Sequence, residues 1–265
     1  MSYGSTAYQA PMQMGMAATP GVTNDPFGGK FRVQQLLTKR EIFEACCGCE
    51  CGNRYLVRPE QPGMTTLAVD EDSTFLQKLC CGAQRGLTFN VHYGDQQAPT
   101  ILQMHKPFVC QHCCGCCPCG CTSFCRPRAD VNWTGQGFGG HRNIGYVQDH
   151  CACCGVHEEI FNSRDQHLYT VTGSCVQCGA CCPCGDARYD VVEAKSGRNV
   201  GAVVKTSRGC GQCLQEAFAD VQGFDVTAPG NAGADEKALL MATALMIDLQ
   251  YYEREQDKNG GGNQW

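Results

Sequence analysis

The stretch Ala238–Tyr252, ALLMATALMIDLQYY, constrains the fold more than any other part of the chain. Ala, Leu and Met dominate it, all strong helix formers, and it holds no Gly or Pro. Asp235 and Glu236 sit at its start and Arg254 just past its end, the charge order a helix dipole favours. From Ala238 to Ile247 the residues are uncharged and mostly apolar on every side, so this is not a one-faced surface helix. Ten such residues rise roughly 15 Å, against a hydrocarbon core of about 30 Å, and Asp248 then interrupts the run. A helix buried inside protein is the expected state, with Leu239, Leu240, Leu245 and Ile247 as core residues. A membrane-inserting helix is the competing reading.

What surrounds that helix reads as β-structure. Short runs rich in β-branched and aromatic residues lie between turn signals: Arg54–Val57, Leu67–Val69, Leu87–Tyr93, Thr100–His105, Ile144–Gln148, Glu159–Asn162, Leu168–Thr172, Arg188–Glu193, Val200–Lys205 and Phe224–Thr227. In Leu87–Tyr93 the apolar positions alternate with Thr88, Asn90 and His92. Gln34–Glu44 reads as a short helix or strand leading in. Many short strands followed by one apolar helix predict a mainly β fold, a barrel or sandwich with the helix as its core. Residues 1–29 carry one charge, Asp25, and read as a disordered Gly, Met, Gln and Pro arm. Residues 30–253 form the domain, with the central helix at 236–252, and residues 254–265 are a polar tail.

The chain holds 24 cysteines and 32 glycines. No secretory signal is visible in the first 29 residues, so reduced thiols, metal sites or lipidated cysteines are expected over disulfides. Ser2 after Met1 lacks the myristoylation signal. The run Cys110-x2-Cys113-x2-Cys116-Cys117-Pro118-Cys119-Gly120 recurs at Cys175 to Gly185, 65 residues later, which suggests a barrel of two related halves. Thiolates at C-x2-C spacing chelate zinc through one tight turn, and two such pairs complete a tetrahedral site. Cys110, Cys113, Cys175 and Cys178 are candidate zinc ligands. Cys151/Cys154 and Cys210/Cys213 share the spacing. Adjacent cysteines flanked by Gly and Pro also suit S-acylation, and several fatty chains anchor where one binds only marginally. Both readings stand.

Other signals exclude more than they propose. A net charge of −5 with 18% charged residues argues against bulk nucleic-acid binding. Gly135-x-Gly137-x-x-Gly140 fits a dinucleotide fingerprint but lies in no βαβ pattern. There is no G-x-S-x-G, the seven histidines show no H-x-x-x-H pairing, and nothing marks one thiol as a nucleophile. Asp220–Asn231 meets an EF-hand loop only in part: Phe224 stands at position 5, Asp225 where Gly is needed, and Asn231 where a bidentate carboxylate is needed. On physics alone it reads as a strand with Phe224 and Val226 facing in.

Certain motifs in order resemble the phospholipid scramblases over roughly residues 31–253. They are Asn53-Arg-Tyr55, Cys80-Cys81-Gly82, the CCGCCPC run at Cys113–Cys119, Gly145-Tyr-Val147, Gly173-Ser-Cys-Val176 through Cys181-Cys182, Glu216-Ala-Phe-x-Asp220 with Phe224, and the C-terminal helix. The resemblance implies a tubby-like fold: a closed antiparallel barrel of about twelve strands around a hydrophobic C-terminal helix. It implies calcium-activated, ATP-independent movement of phospholipids between leaflets, without covalent chemistry and so without enzymatic catalysis. It also implies palmitate on Cys113, Cys114, Cys116, Cys117 and Cys119, and calcium at Asp220, Asp225 and Asn231. Gly115 interrupts the cysteine run, and Gln222 stands where family members often have Asp. The expected setting is the cytosolic face of a plasma or intracellular membrane, mitochondrial included, with protein partners reached through the N-terminal arm. The alternative is a non-enzymatic, acylated or zinc-bound adaptor on the same barrel.

Overall fold

The computed structural model describes residues 25–36, 53–73, 85–94, 97–109, 126–135, 138, 140–150, 155–174, 176–177, 185–206 and 223–252. Among them run twelve strands: β1 (Lys30–Gln35), β2 (Arg54–Pro59), β3 (Leu67–Asp72), β4 (Leu87–Tyr93), β5 (Thr100–Lys106), β6 (Arg128–Trp133), β7 (Arg142–Asp149), β8 (Gly155–Asn162), β9 (His167–Ser174), β10 (Ala187–Glu193), β11 (Asn199–Thr206) and β12 (Gly223–Thr227). The helix α1 (Ala234–Ile247) follows and passes into a π-helical turn, Asp248–Tyr252. Each strand pairs antiparallel with its neighbours in sequence, and β1 pairs with β12 to close the barrel.

Period-two patterning builds this wall. In β4, Leu87, Phe89 and Val91 are buried while Thr88 and Asn90 face out half-buried. β6 uses the same alternation with small or single large apolar residues: Ala129, Val131 and Trp133 face in between Arg128, Asp130 and Asn132. Phe224 and Val226 of β12 are buried, as the strand reading of that segment requires. One position fixes the close approach of β7 to β8. Gly145 has φ +145°, and a Cβ there would lie 2.0 Å from the Phe161 carbonyl oxygen, so no other residue fits.

The barrel is filled by α1. Leu239, Leu240, Leu245 and Ile247 are fully buried. The helix starts earlier than the apolar run, at Ala234, so Asp235 and Glu236 lie in its first turn rather than before it. Glu236 accepts from the Gly233 backbone N–H at 3.1 Å, holding the entry turn. Lys237 is buried in the same turn and pairs with Asp25. Residues 25–29 therefore belong to the fold rather than to the arm, and Phe27 is fully buried against Phe31 at 5.3 Å between ring centroids.

Antiparallel order sorts the connections onto two ends. Those between β1 and β2, β3 and β4, β5 and β6, β7 and β8, β9 and β10, and β11 and β12 all fall at one end. All 24 cysteines of the chain lie in these six connections, every one outside the described residues. The opposite end carries the remaining turns and the entry of α1. The two copies of the cysteine repeat join β5 to β6 and β9 to β10, four strands apart. Two six-stranded halves would put the second copy between β11 and β12, so the repeat does not divide the barrel in two.

Candidate functional site: the cysteine end of the barrel

The π-helical turn delivers a set of polar side chains to the cysteine end. Tyr55 of β2 donates to Asp248 at 2.8 Å in a buried contact. The phenols of Tyr189 and Tyr252 share a buried hydrogen bond, and the Lys205 ammonium lies 3.3 Å from the centroid of the Tyr252 ring. Beside them Arg85 donates to both oxygens of Glu71, at 2.9 and 3.1 Å, in a fully buried ion pair. Lys106, also buried, donates to the Arg85 carbonyl at 2.7 Å.

Asp149 and Glu158 are a cross-strand pair on β7 and β8. Tyr251 donates to Asp149 Oδ1 at 3.1 Å. Gln250 Nε2 lies 3.4 Å from Glu158 Oε1, a long contact, while Glu158 Oε2 is buried without a hydrogen-bond partner. Burial pushes the Glu158 carboxyl well above its ordinary range, and the like charge of Asp149 pushes the same way. Burial, reinforced by Asp149 and Glu158, also raises the Tyr251 phenol. On the outer face of the same hairpin, the His150 and His157 rings sit 5.0 Å apart. Glu159 lies 3.7 and 3.8 Å from them, and Arg126 is 2.8 Å from His150 Nδ1. Burial, with His150 adding to it, lowers the His157 imidazole below its ordinary value.

Two large apolar side chains are exposed among the described residues, Phe108 at 51% and Val176 at 78%. Both lie at the cysteine end, next to Cys110 and Cys175, where the two repeat copies begin. The helix-entry end is polar. There Asp235 takes hydrogen bonds from Trp133 and Arg142, and Tyr169 donates to Glu236 at 3.2 Å. A cleft of about 290 Å³ opens beside Asn162, Arg164, Asp235 and Glu236, but both carboxylates are already engaged.

Of the residues singled out from sequence, Cys110, Cys113, Cys114, Cys116, Cys117, Cys119, Cys175, Cys178 and Asp220 lie outside the described residues. Asp225 faces outward on β12, and Arg32 of β1 grips it with Nε at 2.5 Å and Nη2 at 2.7 Å. Asn231 stands exposed in the turn before α1. Among the described residues no three His, Cys, Asp or Glu side chains gather as metal ligands, and no helix is long and apolar enough to cross a membrane. Sequence reading missed Asp149, Glu158, Gln250 and Tyr251. One signal pointed to Glu158: of the adjacent acids Glu158 and Glu159 on one strand, one had to face inward, in phase with Val156 and Ile160.

Fold and site together define a closed antiparallel barrel filled by its own helix, with every cysteine of the chain falling in the strand connections of one end. The chain belongs to the Scramblase family, whose model matches residues 25–254. It is 26% identical to phospholipid scramblase 1 of Mus musculus over 254 residues, covering 94% of this chain and 71% of that protein. It is 28% identical to phospholipid scramblase 4 of Homo sapiens over 244 residues, covering 89% and 68%. Against human phospholipid scramblase 2 the identity is 25% over 243 residues, covering 90% and 75%. No solved structure matches the chain.

Proposed function

We propose that this protein moves phospholipids between the leaflets of a bilayer, in response to calcium and without ATP, from the cytosolic face of a plasma or intracellular membrane, mitochondrial included. Family membership over residues 25–254 carries the reading. That every cysteine falls in the connections whose bounding strand ends share one barrel end supports it, because acyl chains there would turn that end toward the lipid. Exposed Phe108 and Val176 point the same way. The barrel interior is filled by α1, so lipid would cross at the boundary between protein and bilayer rather than along the barrel axis. No covalent step is needed. The arm joins the fold at the opposite end, beside Asp25, and there it would meet protein partners away from the membrane.

Palmitate on Cys113, Cys114, Cys116, Cys117 and Cys119 would supply the anchor. Changing all five to Ser should release the protein from membranes, since each buried methylene contributes about 0.8 kcal/mol, and should leave the melt unchanged. Zinc at Cys110, Cys113, Cys175 and Cys178 predicts the opposite: a membrane-bound but unstable variant that has lost its metal. Calcium at Asp220, Asp225 and Asn231 would have to displace Arg32 from Asp225, so its affinity should be low. The test of the function is lipid exchange in liposomes containing the purified, acylated protein. Outer-leaflet exposure of a labelled lipid should rise on adding calcium alone. Calcium-independent silence, with intact membrane binding, would favour the second reading, a lipid-anchored adaptor. The filled barrel is the observation that favours that alternative.

A further inference from the structure

Glu158 is fully buried, forms no ion pair among the described residues, and leaves Oε2 without a hydrogen-bond partner. Its cross-strand neighbour Asp149 is served differently. It lies half-buried at the end of β7 and accepts from the Tyr251 phenol at 3.1 Å. Glu158 has only the long contact to Gln250. This difference tells the two carboxyls apart: the charge belongs on Asp149, where a donor stabilises the anion, and the proton on Glu158. The groups around Glu158 supply no compensating cation. Its pair position on β9 is Val171, and the π-helical turn presents Gln250 and Tyr251, with Tyr189 of β10 acting on Tyr251. Elsewhere at this mouth Lys205 lies on the Tyr252 ring, Arg85 binds Glu71, and Asp248 accepts from Tyr55. A buried carboxyl is far costlier charged than neutral, and the Asp149 charge adds to that cost.

We propose that Glu158 holds a proton in the folded barrel, and that this proton latches the π-helical turn, residues 248–252, against β8. The neutral acid donates to the Gln250 side-chain carbonyl across the 3.4 Å contact, with the amide turned to exchange its two nearly isosteric ends. Once ionised, Glu158 faces Asp149 with no cation and must reach water. Reaching it means displacing Gln250, so ionisation loosens the turn. The latch runs with the opposite sign to an ion-paired carboxylate. It is complete below the unfolded glutamate value of about 4.3, and it is lost as pH rises through the folded value, which lies well above. Turns of this kind are rare and concentrate at functional sites. This one ends α1 and leads into residues 253–265. The latch does not depend on the lipid-transport reading.

The test uses the full-length purified protein with isotope-labelled glutamate carboxyls, read by NMR. At about pH 7, where an ordinary glutamate is ionised, one glutamate should still show the neutral-acid shift. Glu71, the other buried glutamate among the described residues, is paired with Arg85 and should not. Glu158→Gln keeps the shape of the neutral acid, so it should fold and erase that signal. Hydrogen exchange at the amides of residues 249–252 reads the latch itself. Corrected for intrinsic rate, wild-type protection should fall as pH rises above about 4.3, by about tenfold per pH unit at most, the limit for one proton. In Glu158→Gln it should stay flat. Asp149→Asn removes the like charge and should move the fall to lower pH. A wild type with every glutamate ionised at about pH 7 overturns the inference, and that reading needs no variant to fold. Protection of the turn that ignores pH in the wild type overturns the latch, as does a pH dependence that survives in Glu158→Gln.

Discussion

Trp133 on β6 donates its indole N–H to Asp235 Oδ1 in the first turn of α1 over 2.7 Å. Arg142 of β7 holds the same carboxylate with two further bonds, at 2.8 and 2.7 Å. This triad ties the entry of the core helix to the wall. Trp133→Phe would keep a ring against Phe138, now stacked at 4.1 Å, while removing the donor. The expected loss is about 1.5–3 kcal/mol, the range for a hydrogen bond to a charged group. Chemical denaturation of the purified protein measures it.

The same carboxylate gives a pH signature. Burial alone would raise the Asp235 carboxyl, but the hydrogen bonds from Arg142 and Trp133 outweigh it and hold it below the ordinary range. Its contribution is therefore complete above the unfolded value near 3.9, and it is lost as pH falls through the lower folded value. Asp235→Asn should flatten the acid limb of the stability curve below about pH 4. An unchanged slope there would show that the triad carries no net charge stabilisation.

The core helix should admit no charge. Leu245 is fully buried inside the barrel. Leu245→Asp strands a carboxylate there at a cost of several kcal/mol, comparable with a total stability of about 5–15 kcal/mol. A cooperative melt retained by this variant would contradict a wall that depends on its helix.

Arg32 competes with any cation for Asp225. The pair is solvent-exposed, with 49% and 34% of the two side-chain surfaces accessible. Exposed pairs contribute about 0.2–1 kcal/mol, so Arg32→Gln should strengthen calcium binding at that strand by a few-fold at most. Calorimetry on the two proteins decides it, and no change would remove Asp225 from the ligand set.

Much of this architecture was legible because it follows from one-dimensional periodicity. Leu87–Tyr93 alternates so cleanly that its bounds as β4 coincide with the expectation. Strand β6 escaped notice because Arg128, Asp130 and Asn132 dominate its composition, and only the alternate Ala129, Val131 and Trp133 betray it. Strand β1 was half hidden for the same reason, with Phe31 and Val33 set among Lys, Arg and Gln. The carboxylate pair at the mouth was not legible. Asp149 and Glu158 are nine residues apart, and nothing local shows that Gln250 and Tyr251 will arrive opposite them. That meeting depends on how far α1 reaches through the barrel and on the turn at its end. The cysteine repeat is a recurrence in sequence that marks no half-barrel, because spacing in sequence does not count strands.

The seam between β1 and β12 joins Val33 to Phe224, and the filling helix comes later still. A ribosome therefore extrudes eleven strands before the second partner of the first one exists, and the wall has nothing to close around until α1 emerges. Pairings so remote along the chain make for slow folding and prolonged exposure of unpaired edges. The nascent wall should then depend on chaperones until about residue 247, and ribosome-stalled chains ending before α1 should be protease-sensitive throughout rather than strand by strand.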